Sequence, residues 1–501
     1  MIVTRISLRR IAVKVKDSYA KRRVSFGMYF SLVLSVCMVL MVSVTGAEAE
    51  TTGFRAGIAR VDITPELPVS MAGHFQDRTA TGVHDSLYAR CLMLDDGTTK
   101  LAFVVADNCL IQQPVFDLAK AKIQSEIGLA PECVVASATH THTGVSVTGV
   151  FQSDPQPGYD RLLADGIAQA VIEASRNLEP AQIAFGTGAV PEEVFNRRWI
   201  MKPGSIPANP FGATDEQVQM NPPRASENLV EPSGPTDPTV SIIAVRRLDT
   251  TPLALFANYA LHYVGDTEAA VLCADYFGYF AQFMAEHLAP EADSAPFLAM
   301  MSNGSSGNIN NVNFREKGTS GAPYSKMSAV AQRVADEVYA RYQELVFMDT
   351  AVLASAAQEL ELGVRKATAE ELERAETILA AAEGPILKSS AEVFARESVL
   401  LKDFPDTVSV PLQAVRIGQV GIAAIPCEVF VETGLALRAA SPFENTFTIE
   451  LANGYNGYLP TIEQHAMGGY ETWRARSSYL EVGAAEKIEA AMVGLLSQLH
   501  Q

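Results

Sequence analysis

Short, uninterrupted apolar runs alternate along the chain with longer stretches in which apolar residues recur every three or four positions. The runs at 101–106, 134–138, 181–185, 240–245, 253–261 and 420–425 predict strands. Their continuity, without polar alternation, predicts that several are buried on both faces. The stretches 115–127, 160–178, 276–288 and 327–345 have helical spacing. Strands and helices in alternation predict an α/β fold. Two segments break the pattern. Residues 200–238 are rich in Pro, Asn, Gly and Ser and too long for a simple connection, as lids and binding loops are. Residues 367–402 are charged, alanine-rich and helically spaced, which predicts a surface helical hairpin. Strand-like runs resume after both and no repeat recurs, so one large domain is expected from about residue 54 onward.

The first fifty residues stand apart. Eight Lys and Arg precede an uncharged apolar stretch at 28–44, followed by Ala47-Glu48-Ala49. That order predicts an export signal peptide over 1–49, cut near Ala49. The alternative is an uncleaved N-terminal membrane anchor, since residues 26–46 approach the roughly 20 residues that span a bilayer. Without the leader, 31 basic and 55 acidic residues remain, a net charge of −24. So acidic a chain argues against nucleic acid and against docking on anionic lipid. It suits a soluble, exported, periplasmic or extracellular enzyme with no stable membrane insertion after cleavage. Cys91, Cys109, Cys133, Cys273 and Cys427 are odd in number and lack CxxC spacing. They predict small core residues rather than a disulfide framework.

The candidate chemistry lies at the ends of the predicted strands. Cys133–Ala138 runs into Thr139-His140-Thr141-His142-Thr143-Gly144. Alternate positions would put both imidazoles on one side of a strand, at the carboxyl end where ligands of open α/β sheets gather. Either imidazole alone is equally a solvated strand-end histidine. A second apolar run ends Asn258-Tyr259-Ala260-Leu261-His262, and a third ends Pro426-Cys427-Glu428. Zinc sites need three or four converging N, O or S groups. Glu428 is also readable as an N-terminal charge of the helix expected after it. Asn453-Gly454-Tyr455-Asn456-Gly457-Tyr458 and Gly468-Gly469-Tyr470-Glu471 by themselves indicate tight turns with aromatic packing.

In this order, these motifs resemble the neutral (non-lysosomal) ceramidases and their bacterial relatives over roughly 54–495. Supporting similarities include Asp62-Ile63-Thr64-Pro65, Gly82-Val83-His84-Asp85, Phe195-Asn196-Arg197 and Ala274-Asp275. The resemblance implies a catalytic domain of mixed β-sheets flanked by helices. It implies one Zn2+ per chain, held by His140, His262, Glu428 and Tyr458. It also implies an amide site lined by His142, Arg197 and Tyr470. Two departures bear on the substrate. Gly307-Asn308-Ile309-Asn310-Asn311 stands where the family carries Gly-Asp-Val-Ser-Pro, so Asn310 replaces the proposed serine nucleophile. The family also ends in an immunoglobulin-like sandwich, and this chain ends thirty residues after Glu471. One catalytic domain over 50–501, without that sandwich, is therefore expected.

The implied reaction is hydrolysis of a linear amide C–N bond in a small amphiphilic N-acyl substrate by metal-activated water. The metal lowers the pKa of bound water to about 7. Arg197 and Tyr470 would face the developing oxyanion, His142 would carry the proton, and Asn310 would orient the substrate. Ser305 and Ser306 are the competing nucleophiles. The rival functions are an esterase or deacylase of other acylated molecules on the same site, and an exported metal-binding protein that has lost its chemistry.

Overall fold

The structure is a computed structural model describing residues 53–291, 294–318 and 321–501; the expected leader and anchor at 1–49 lie outside them. Arg55–Asp62 (β1), Tyr88–Asp95 (β2), Lys100–Ala106 (β3), Val134–Ala138 (β4), Glu179–Ala189 (β5), Thr239–Arg247 (β6), Pro252–Tyr259 (β7) and Leu298–Asn303 (β8) form one sheet. Its order is β8-β7-β6-β5-β1-β2-β3-β4. The edge pairs β3–β4 and β7–β8 are parallel, and the inner pairs are antiparallel. Leu353–Gly363 (β9), Thr407–Ile417 (β10), Val420–Ile425 (β11) and Asn445–Glu450 (β12) form a second sheet in chain order, with β11–β12 parallel.

Successive side chains of a strand point to opposite faces, and here both faces are buried. Leu92, Phe103, Val105, Ile243 and Phe256 meet Val415, Ile422, Phe447 and Ile449 of the second sheet in one core between the sheets. Their neighbours Met93, Val104 and Ala136 face outward under the helices Gln113–Ile127 (α1) and Tyr159–Arg176 (α2). Ile242, Leu255 and Ala257 lie under Asp275–Leu288 (α3) and Ser325–Tyr342 (α4). This two-sided burial is why the runs lack polar alternation.

The 367–402 segment is a hairpin of Ala369–Ala380 (α5) and Ser390–Leu401 (α6). Thr368 with Glu371, and Ser389 with Glu392, form a capping box at the start of each helix. Val431–Ala440 (α7) follows Glu428, and Ala484–His500 (α8) covers the outer face of the second sheet. The 200–238 segment differs from a plain loop. Arg198–Met201 pairs with both Val218–Met220 and Leu229–Pro232. Strands of three or four residues are too short to leave a periodic signal.

The two sheets are tied at one end. Asn453 N–H donates to Ala136 O at 2.7 Å, its Oδ1 accepts from Ala136 N at 3.2 Å, and its amide donates to Gln413. Asn258 Nδ2 donates to Thr448 O at 3.0 Å, tying β7 to β12. The carboxyl ends of β4, β7 and β12 thus come together, and parallel pairing brings that of β11 beside them.

Phe256 packs at 5.6 Å from Phe103 and 6.4 Å from Phe447, bridging the sheets. Phe256→Ala should lower unfolding free energy by about 3–5 kcal/mol, read from urea denaturation. A loss below about 1 kcal/mol would show that the inter-sheet core is not close-packed there.

Candidate metal centre

His140, His262 and Glu428 each lie two or three residues past a strand, where the backbone turns. β4 ends at Ala138, and His140 N–H donates to Asn108 O at 2.9 Å. His140 has φ 70°, the left-handed region that costs a non-glycine residue about 1–3 kcal/mol. His140 and His142 therefore face the same cluster through a turn, not through strand alternation. β7 likewise stops at Tyr259, three residues before His262. Glu428 follows β11, and its backbone pairs in parallel with Tyr458.

The imidazole tautomers follow from their outer bonds. His140 Nδ1 lies 3.0 Å from Cys109 O, and His262 Nδ1 lies 3.1 Å from Ser306 O. A carbonyl only accepts, so both Nδ1 atoms carry the proton and both Nε2 atoms present lone pairs. Burial pushes the His140 pKa down to about 4, and those of His262 and His142 well below normal, keeping the rings neutral. Yet the two Nε2 atoms are 2.9 Å apart, and Glu428 Oε2 sits 3.4 Å and 3.7 Å from them. That oxygen is buried without a hydrogen-bond partner. Burial pushes the Glu428 pKa up to about 7, opposed by Arg197 and by bonds from Tyr458 and Tyr455. Three converging acceptors without a donor fit a cation, and His140, His262 and Glu428 can hold one metal ion with donor atoms within 4.8 Å of one another. Tyr458 reaches the same carboxylate from its paired strand.

The remaining expected residues surround this group. His142 Nε2 lies 3.1 Å from His140 Nε2, and Tyr263 stacks on its ring at 3.6 Å. Gly73 approaches the same imidazole closely; a Cβ there would fall 2.6 Å from His142 Nδ1. Arg197 donates from Nε to Glu471 at 2.9 Å and from Nη2 to Gly307 O at 2.9 Å, with its guanidinium 5.4 Å from the Tyr458 ring centre. The Tyr470 ring is 5.7 Å from that of Tyr458. Asn310 is placed beside Phe195 in a short antiparallel pair. Its amide donates to Asn221 at 2.7 Å and its oxygen accepts from Val312 N at 3.0 Å, so both polar atoms are engaged in loop structure. Ser306 is fully buried on the Nδ1 side of His262, away from the cluster, and Ser305 packs against Gly434. Cys109, also near His140, has its thiol pKa raised by burial and sits 3.9 Å from the protonated Nδ1, which suits packing rather than ligation.

The family described as Neutral/alkaline non-lysosomal ceramidase, N-terminal, matches residues 54–323 of this sequence. The chain belongs to that family. The match includes His140, His142, Arg197, His262 and Asn310, while Glu428, Tyr458 and Tyr470 lie beyond it. The neutral ceramidase of Pseudomonas aeruginosa is 28% identical over 186 residues, 34% of this chain and 27% of that protein. Neutral ceramidase A of Dictyostelium discoideum is 21% identical over 282 residues, covering 52% and 36%. The matched segments thus span about a quarter to a third of these relatives. The crystal structure of the Pseudomonas aeruginosa neutral ceramidase superposes with a TM-score of 0.66 at 20% identity, covering 89% of this chain and 74% of that one. A ceramidase complexed with C2 gives 0.65 over 89% and 75%. These likenesses show that the α/β fold of mixed sheets is the ceramidase fold, and that it extends past the family match.

Several residues of the site carry little sequence signal. Tyr455 donates to Glu428 Oε1 at 3.0 Å. Glu471 is fully buried and holds Arg197 and, at 2.7 Å, Arg198. Glu450, the last residue of β12, is also fully buried. It accepts from Ser306 Oγ at 2.6 Å and from the backbone N–H groups of Val429 and Ser306 at 2.8 and 3.2 Å. It thereby fixes the segments that carry Glu428 and the carbonyl oriented on His262. Outer-shell partners of this sort typically contribute 10–100-fold to metal affinity. Glu450→Ala should weaken metal binding by about that factor, measured by competition with a chromogenic chelator in protein of unchanged circular dichroism. Unchanged affinity would show that the two segments hold their places without it.

Proposed function

We propose that this chain is an exported, zinc-dependent hydrolase that cleaves the linear amide C–N bond of a small amphiphilic N-acyl amine, with residues 50–501 as one catalytic domain. The observation that supports this best is the set of bare donors on His140, His262 and Glu428, with Tyr458 beside them and Arg197, Tyr470 and His142 around them. A borderline-to-hard N2O set of neutral imidazoles and a carboxylate suits zinc in a catalytic rather than a structural site. The ceramidase relatives supply the bond type. The acidic charge and the leader pattern support export, and no helix among the described residues is long and apolar enough to cross a membrane.

A zinc ion bound there supplies Lewis acidity toward a carbonyl oxygen and lowers the pKa of water. The protein's own groups then have distinct tasks. Glu471 and Gly307 O hold the Arg197 guanidinium rigid, so its charge needs no reorganisation as an oxyanion forms. Tyr470, kept protonated because burial raises its pKa, donates a hydrogen bond to the same oxygen. His142, neutral and packed against Tyr263 and Gly73, accepts the proton released from water and returns it to the leaving nitrogen. Asn310 acts through the loop that it ties to Asn221. The placement of Ser305 and Ser306 behind the cluster supports water, rather than a seryl oxygen, as nucleophile.

His140→Ala and His262→Ala should each lose zinc and activity together, followed by metal analysis and by hydrolysis of N-acyl amides with and without chelator. Full zinc occupancy in both variants would overturn the assignment. Tyr458→Phe should keep most zinc while activity falls, because a phenol is the weakest of the four ligands. Tyr470→Phe should retain zinc entirely and lower kcat about 10²–10³-fold. Equal loss on matched amide and ester substrates would leave bond type to the leaving group, whereas selective loss on esters would favour an esterase.

A further inference from the structure

The two segments that break the α/β pattern meet beside the metal centre. Residues 206–220 of the long loop and Ser390 and Ala391 at the start of α6 enclose a cavity of about 370 Å³. Its walls are mainly apolar, with Phe75, Ile206, Pro207, Val218, Met220 and Trp473 the main contributors. Tyr470 and Gly469 complete it. Tyr470 is therefore shared, bordering this cavity while its ring lies 5.7 Å from that of Tyr458 in the metal cluster. The walls are held in place. Trp473 Nε1 donates to Glu216 Oε1 at 2.7 Å, and Asn209 Nδ2 donates to the same oxygen at 3.0 Å. One carboxylate thus fastens the indole to the loop, and the capping box at Ser389 and Glu392 fixes the end of α6 that closes the other side.

We infer that this cavity is a substrate subsite, built by the loop and the hairpin, which takes one apolar limb of limited length. The inference rests on the hydrolase reading above and narrows its substrate. A group whose scissile carbonyl faces Tyr470 from the metal side has its limb directed past that ring into the cavity. Small-molecule pockets of about 300–1,000 Å³ are lined mainly by hydrophobic and aromatic side chains, as this one is. Its volume corresponds to roughly a dozen units the size of a water molecule, about 30 Å³ each. A straight chain of about ten to twelve carbons, or a bicyclic aryl group, therefore fills it. Any longer limb leaves its remainder in solvent and gains nothing further.

The test varies chain length separately on the acyl and the amine side of soluble N-acyl amides. On the side that occupies the cavity, kcat/KM should rise about fourfold per added methylene, the equivalent of about 0.8 kcal/mol. The rise should stop near ten to twelve carbons. Ala391→Phe, which fills the cavity from α6, should move that break several carbons shorter, and Ala208→Phe should do the same from the loop. A flat profile on both sides, or a break that neither variant moves, overturns the inference. A second readout needs no turnover. The chain has two tryptophans, and Trp199 is buried against Phe314 and does not line the cavity. Decanoate should shift the emission of Trp473, weakly in Ala391→Phe and not at all in Trp473→Phe. If decanoate shifts that emission but no amide is cleaved, the hydrolase reading fails and the cavity stands as an apolar binding site. If amides are cleaved with neither length dependence nor an emission change, the subsite fails alone.

Discussion

Three unprotonated donor atoms face one another in a space from which water is largely excluded, and much of the local structure follows from that. Imidazole lone pairs 2.9 Å apart, beside a carboxylate oxygen with no donor of its own, are stabilised by a positive charge between them. Burying a polar acceptor unpaired costs about 1–3 kcal/mol, and more for a charged group. Every outer contact of these residues strengthens the demand. The carbonyls of Cys109 and Ser306 hold the protons on the far side of each ring, and Tyr455 occupies the other oxygen of Glu428. The left-handed backbone at His140 belongs to the same account, because local strain persists where its surroundings over-determine it.

The two sheets exist, in functional terms, to bring distant segments to that point. His140 leaves an edge strand of the first sheet and His262 a strand near its opposite edge. Glu428 follows a strand of the second, and Tyr458 is paired beside it. Only face-to-face packing makes these ends coincide. Asn453 and Asn258, which tie β4 and β7 to the second sheet, are therefore as necessary to the cluster as its ligands are. The strands anchor the segments that carry these residues, and the short turns beyond them aim the side chains.

Much of this was legible in the sequence. The runs 134–138 and 420–425 match β4 and β11 end for end, since doubly buried strands concentrate apolar residues. The hairpin at 367–402 announced itself through helical spacing. The strands β1, β2, β8, β9, β10 and β12 went unread, partly because β1 and β9 have faces open to solvent and their residues mix Arg, Glu, Gln and Ala. The four proposed ligands and their three neighbours stood out in sequence only as an ordered set of motifs, because each histidine, glutamate or tyrosine alone fits a blander role. Glu450 and Glu471 were not legible as structural groups. A buried acid at a strand end or in a glycine-rich turn looks like a solvated one until partners such as Ser306 or Arg197, more than a hundred residues away, are placed beside it. For the same reason, the loop and the hairpin gave no sign in sequence that they share a cavity.

Charge balance explains why Glu471 matters as much as the ligands. Arg197 and Arg198 are both buried, and both rest on that one carboxylate, whose pKa the two guanidiniums hold below its usual range despite burial. Two cations and one anion leave a unit of positive charge, which an ionised Glu428 cancels. With a dication in place, these four groups and the ion carry two positive charges in a medium that screens them poorly. Such a site favours whatever brings negative charge to it. An amide substrate is neutral, the tetrahedral species on the way to hydrolysis is anionic, and the product is a carboxylate. In the proposed hydrolysis that excess charge would favour the transition state over the ground state, which is the condition for catalysis rather than mere binding. Glu471 sets the size of that excess by holding the arginines without adding a second anion to the cluster itself.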